Sequence, residues 1–85
     1  NRALDQAARM VAEGAGLPAV RAALRRIIGA EPLADIRSID IRDAATLSRI
    51  ATIQAPMVIL LAVRFGDVLL IDQRVAHPKG ATDVR

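Results

Sequence analysis

Two apolar, β-branched runs, Met57 to Phe65 and Val68 to Val75, stand two residues apart across Gly66-Asp67. Glycine at the first central position of a two-residue connection is the signature of a type II′ turn, whose twist matches that of paired strands. The spacing therefore predicts a hairpin and fixes its register. Phe65 faces Val68, Arg64 faces Leu69, Val63 faces Leu70, Ala62 faces Ile71 and Leu61 faces Asp72. Side chains alternate between faces along a strand. One face then carries Ile59, Leu61, Val63, Phe65, Val68 and Leu70, and the other carries Val58, Leu60, Ala62, Leu69 and Ile71. Both faces of the hairpin are oily, so both need covering.

The cover on one side comes from the N-terminal third. Leu4, Ala8, Val11 and Ala15 recur at helical spacing, with Asp5, Arg9 and Glu13 at i, i+4 steps on the opposite wet face. Gly14 and Gly16 end this helix. Pro18, expected at the first helical position, opens a second one, whose stripe is Val20, Ala23, Leu24, Ile27 and Ile28 and whose end is marked by Gly29 and Pro32. Leu33 to Arg42 changes to period two, with Ile39 and Ile41 opposite Ser38, Asp40 and Arg42, although Ile36 breaks the alternation. Asp43 is placed to cap a short helical turn over Ala44 to Ile50. The expected architecture is α+β with two layers: two N-terminal helices packed on a small, mainly antiparallel three-stranded sheet that ends in a C-terminal β-hairpin. The domain runs over residues 1–76, and 77–85, which includes His77-Pro78-Lys79-Gly80, reads as a loose tail. The second apolar sheet face is left for a partner, unless the 43–56 segment and the tail fold over it.

At 85 residues the chain can enclose one thin core and no deep catalytic cleft. Without cysteine it has no disulfide framework, thiolate metal site or cysteine nucleophile, which leaves the compartment open with a lean toward the cytosol. The first residues lack an initiator Met and the pattern of a signal peptide, so the chain is expected to be cut from something longer. The longest apolar run, Ala55 to Val63, is about half of what a membrane helix needs, so a soluble domain without membrane contact is expected. The high isoelectric point, near 11, arises because 11 of the 12 basic residues are Arg; the net charge is only +3. Those arginines are spread from Arg2 to Arg85 and Phe65 is the single ring, which argues against a nucleic-acid partner.

Little in the residues points to chemistry. His77 has no second His or Cys beside it, and Asp35, Asp40, Asp43 and Asp72 show no metal-ligand spacing. Gly14-Ala15-Gly16 lies between helices rather than after a strand, unlike a phosphate-binding loop. Ser38 and Ser48 lack a base other than His77. Arg21, Arg25 and Arg26 form a small basic patch that a solvated helix face explains equally well.

Three motifs in register are more telling: Asp43-Ala44-Ala45-Thr46-Leu47, then Ile59-Leu60-Leu61-Ala62-Val63-Arg64-Phe65-Gly66, then Leu70-Ile71-Asp72-Gln73. Together they resemble the C-terminal domain of pantothenate synthetase (pantoate-β-alanine ligase), which reads D-x-x-T-L, L-L-A-V-R-x-G and R-L-I-D-N in this order and spacing. The family-motif positions are Asp43, Leu47, Arg64, Gly66, Leu70, Ile71 and Asp72, which the resemblance marks as structural. It carries no catalytic, cofactor-binding or metal residue onto this chain. The departures are Arg37-Ser38 where the family has Asp-Tyr, Leu69 where it has Arg, and Gln73 where it has Asn. If positions 37 and 69 pair across the sheet in relatives, losing both avoids stranding one buried charge. Arg64 is expected to snorkel from a sheet edge.

The resemblance implies an ATP- and Mg²⁺-dependent, AMP-forming ligase of pantothenate biosynthesis on the coenzyme A pathway, cytoplasmic and homodimeric when whole. Pantoate and β-alanine would be its substrates. It would place the nucleotide-binding machinery in a preceding Rossmann-like domain and make this segment, inactive alone, a hinged lid. A non-catalytic interaction or dimerisation module of the same fold is the main alternative.

Overall fold

A computed structural model describes residues 2–79. The order is α1 (Arg2–Ala12), α2 (Leu17–Gly29), β1 (Ala34–Asp43), β2 (Met57–Phe65) and β3 (Val68–Ala76). The strands form one antiparallel sheet in the order β1-β2-β3, so the expected α+β, helices-on-sheet architecture is the one found. The hairpin register agrees pair by pair, from Phe65–Val68 to Leu61–Asp72 and on to Met57–Ala76. Gly66 has φ +60° while Asp67 is not among the positive-φ residues, the pattern of a type II′ and not a type I′ turn.

Both helices lie on one face of the sheet. Ala3, Leu4, Ala7 and Val11 of α1, and Leu17, Val20, Ala23, Leu24 and Ile28 of α2, are buried. They meet Ile39 and Ile41 of β1 and Met57, Ile59, Leu61 and Val63 of β2 in one core. α1 lies over β3 and α2 over β1. Gly14 at φ +95° lets the chain reverse between the helices, a backbone shape that side chains disfavour. Pro18 follows Leu17 and so takes the second helical position, one residue later than expected, where its missing N–H is still harmless. The wet face of α1 is tied across layers rather than along the helix: Arg74 Nη1 donates to Asp5 Oδ1. Arg21 of the basic patch is likewise structural, donating to the Ile39 carbonyl at 3.0 Å.

The broken alternation at Ile36 has a cause. Pairing between β1 and β2 shifts between Ile36–Val63 and Ser38–Ala62, which leaves Arg37 as the extra residue of a bulge. The bulge lets Ile36 and Ile39, three apart, both face the helices. It also corrects the idea of a 37–69 pair: Arg37 lies on β1 and Leu69 on β3, with β2 between them, so at least about 9.5 Å, two strand spacings, separates them. Arg64 does not sit on an edge strand either. It lies near the end of the central strand, exposed, with Nε donating to the Gly66 carbonyl at 3.0 Å.

The 43–50 segment is no helix beyond a single turn, which the Leu47 N–H closes on the Asp43 carbonyl. Asp43 does cap: its Oδ1 accepts from Ala45 N at 2.8 Å and Thr46 N at 2.9 Å. The chain then doubles back, because Leu47 adopts φ +63° and Arg42 and Arg49 form an antiparallel bridge. Ala44, Leu47 and Ile50 stand three apart, but Leu47 is 59% exposed and so is not held against the core as a continued helix would need. Ile50 and Ile53 pack against the core, that is, on the helix side. The outer face is closed at Val58, 7% exposed, and stays open toward β3 among the described residues, with Leu69 53%, Ile71 74% and Val75 47% exposed. Pro78 is buried and His77 exposed; the rest of the expected tail, 80–85, lies outside the described residues.

Candidate functional site

A groove of about 450 Å³ opens at one end of the domain, where the start of α1, the end of α2 and the hairpin converge. Its walls are apolar, from Ile27, Ile28, Leu61, Val63, Phe65 and Leu70, and three charged residues, Arg2, Glu31 and Asp72, border it. A core as thin as this one is expected to leave no pocket, and the groove departs from that for a local reason. β3 is exposed from Val68 to Val75 and only Ala76 is buried, so the helices splay from the hairpin tip and leave Leu70 53% exposed beside the half-buried Phe65.

The structure gathers some of the motif residues and separates others. Leu70, Ile71 and Asp72 line the groove, and Arg64 and Gly66 lock the turn beside it. Asp43 and Leu47 lie at the opposite end of the sheet, since Asp43 pairs with Met57 and the groove borders Phe65. Eight strand steps separate those ends, about 27 Å. Arg2, Ile27 and Glu31 were not candidates from sequence, because helix ends carry no signal of which strand end they will meet.

At the far end, the capped loop is tightly bonded. Leu47 N donates to the Asp43 carbonyl at 2.8 Å, Asp43 N to the Ser48 carbonyl at 2.9 Å, and the hydroxyls of Thr46 and Ser48 are 2.6 Å apart. Ser48 is thus engaged within its loop. His77 borders a shallow depression with Asp43, Ala44 and Val75. Among the described residues no group of three or more His, Cys, Asp or Glu could hold a metal ion, and no helix is long and apolar enough to cross a membrane.

The Thr46 and Ala45 backbone N–H groups hold the Asp43 carboxyl below its ordinary value of 3.8, and the Arg74 guanidinium does the same for Asp5. A carboxyl with a depressed folded-state pKa contributes stability that is complete above its unfolded value and disappears as pH falls through the folded one. The urea midpoint is therefore expected to hold at neutral pH and fall below about pH 4. Asp43→Asn keeps an oxygen acceptor for the cap but cannot titrate, so it should flatten part of that acid slope. An unchanged slope in a series of urea melts would remove Asp43 from the account.

Residues 1–75 match the family model described as pantoate-beta-alanine ligase. The chain is 47% identical over 75 residues to a pantothenate synthetase of Agrobacterium fabrum, covering 86% of this chain and 26% of that protein. It is 40% identical over 82 residues to the pantothenate synthetase of Rhizobium meliloti, covering 94% and 28%. The crystal structure of pantoate-beta-alanine (pantothenate synthetase) from Thermus thermophilus superimposes with a TM-score of 0.80 at 23% identity, over 91% of this chain and 28% of that one, a likeness of fold. The chain spans about a quarter of the length of these relatives.

Proposed function

The chain belongs to the pantoate-beta-alanine ligase family, and from that premise we propose that it is the C-terminal, lid-type domain of such an enzyme, closing over an active site held by a preceding Rossmann-like domain. The whole protein would join pantoate and β-alanine in two steps. Attack of the pantoate carboxylate on ATP gives pantoyl adenylate and pyrophosphate, and the β-alanine amine then displaces AMP to leave pantothenate. The enzyme so described would be a cytoplasmic homodimer on the route to coenzyme A.

The residues of this domain do not fit the nucleotide or its Mg²⁺. Arg2 is the one cation bordering the groove, against Glu31 and Asp72, a balance that repels a triphosphate. No chemical step is therefore assigned to this domain, and its residues act by covering. The observation that carries the reading is the open outer sheet face, where Ile71, Leu69 and Val75 are exposed on a strand built like a core strand. Closing an apolar face over a reacting site excludes the water that would hydrolyse an acyl adenylate and holds the amine beside it.

AMP formation tests this with the natural polypeptide that contains the segment, given ATP, Mg²⁺ and pantoate with and without β-alanine, beside the 85-residue chain alone. AMP that requires both substrates and comes only from the longer polypeptide is the expected result. No AMP from either would instead favour the interaction module, which the same open face also suits.

A further inference from the structure

Leu47 is the one non-glycine residue at positive φ among the described residues, at +63°. There a Cβ crowds the following carbonyl oxygen, so the position ordinarily goes to Gly or Asn. A leucine is disfavoured in this shape, and such strain persists only where the surroundings impose it. They do so here. Leu47 N–H donates to the Asp43 carbonyl at 2.8 Å, and the Leu47 carbonyl accepts from Arg42 Nη1 at 3.3 Å. Asp43 N–H donates to the Ser48 carbonyl at 2.9 Å, and Ala44 N–H to the Pro56 carbonyl at 3.0 Å. At residue 47 these bonds use only the backbone, which Gly or Asn would supply equally well.

The leucine side chain gains nothing in return among the described residues. It is more than half exposed and stands outside the apolar set packed on the core, which takes in Ile50 and Ile53 from the same connection. An apolar side chain held at a strained backbone position, and unused by its own domain, is placed for use by another. The chain spans about a quarter of its relatives' length, so the larger share of such a protein lies outside it.

We propose that Leu47 is an anchor that seats in an apolar pocket on the part of the natural polypeptide that precedes these residues. This rests on the reading of the chain as the C-terminal domain of a longer ligase. On that reading the preceding domain joins at the start of α1, where Arg2 borders the groove. Leu47 lies at the opposite end of the sheet, about 27 Å from that joint by eight strand steps. A contact so far from the joint resists rotation of the domain better than one beside it. Arg42 and Arg49, paired across the base of the loop, supply the polar rim that surrounds an apolar anchor at an interface.

The sequence has no cysteine, so Leu47→Cys gives the 85-residue chain a single thiol. Labelling by a water-soluble maleimide, followed by mass on the peptide that holds residue 47, should run at the rate of an open thiol in that chain. In the natural polypeptide it is expected to run about tenfold more slowly, since a contact closed most of the time protects in proportion. Leu47→Asn should raise the urea midpoint of the 85-residue chain, because strain is relieved and no contact is lost. In the natural polypeptide the same substitution should speed proteolytic cutting within 43–56, and Leu47→Met, apolar and of similar volume, should keep the parent's rate. Equal labelling in both chains, a lower midpoint with Leu47→Asn, or cutting unchanged by it would overturn the proposal. None of these readouts uses ATP: a protected thiol in a polypeptide that forms no AMP would keep the anchor and remove the ligase.

Discussion

Ile59→Ala is expected to cost about 3 to 4 kcal/mol, within the range for truncating a fully enclosed aliphatic side chain. Ile71→Ala should change stability by less than about 0.5 kcal/mol, as surface substitutions do. Both residues are isoleucines in the same hairpin, but Ile59 is 0% exposed and Ile71 is 74% exposed. Ile59 sits on the central strand between Ile41 and Arg74 on its neighbours, under the helices. A side chain there has no route to collapse, so the loss includes the cavity as well as the missing methylenes. A domain of this size has about 4 to 13 kcal/mol in total, so the Ile59 variant should lose from about a quarter to nearly all of its stability. Urea melts of the two variants check this. Equal losses would mean that the outer face is buried in the free chain and that the helices do not define the only core.

The contrast also marks what the sequence could and could not tell. The hairpin was legible because two residues of turn and two apolar runs specify pairing locally, down to each partner of Phe65 through Leu61. The helices were legible from their stripes. Which face they would cover was not, because Ile59-type and Leu60-type positions are equally oily, and only packing decides between them. The Arg37 bulge was present as an anomaly at Ile36, but its meaning required a partner strand. The cap at Asp43 was legible, whereas the helix after it was not realised: Ala44, Leu47 and Ile50 have helical spacing, but Leu47 at φ +63° reverses the chain after a single turn.

The motif positions were legible as a resemblance, and the family match covers the helices as well as the strands, from residue 1 to 75. The motifs themselves do not converge on one place. Leu70, Ile71 and Asp72 border the groove, while Asp43 and Leu47 shape a loop at the opposite end. The groove was invisible because it is made by the gap between two helix ends and a hairpin tip, and no single stretch of chain encodes a gap.

Ile71→Glu in the natural polypeptide is expected to lower AMP formation about a hundredfold, the scale on which a charge forced into a closed apolar contact acts. The same substitution should leave the urea midpoint of the 85-residue chain unchanged, because its side chain already faces water there. The difference between those two readouts is what distinguishes a lid from a merely stable surface. A lid must present an apolar surface that is exposed when open and covered when closed, and Ile71 sits where the outer face meets the groove. Glutamate at that position costs nothing in the open state and leaves a carboxylate unpaired in the closed one, so it biases against closure. Ile71→Val, which keeps an apolar side chain, should retain most of the rate. Sedimentation of the Glu variant shows whether assembly is kept: a lost rate at unchanged mass assigns the effect to closure. An unchanged rate at full mass would mean that this face does not close over the reacting site, and the lid reading would fall while family membership stood.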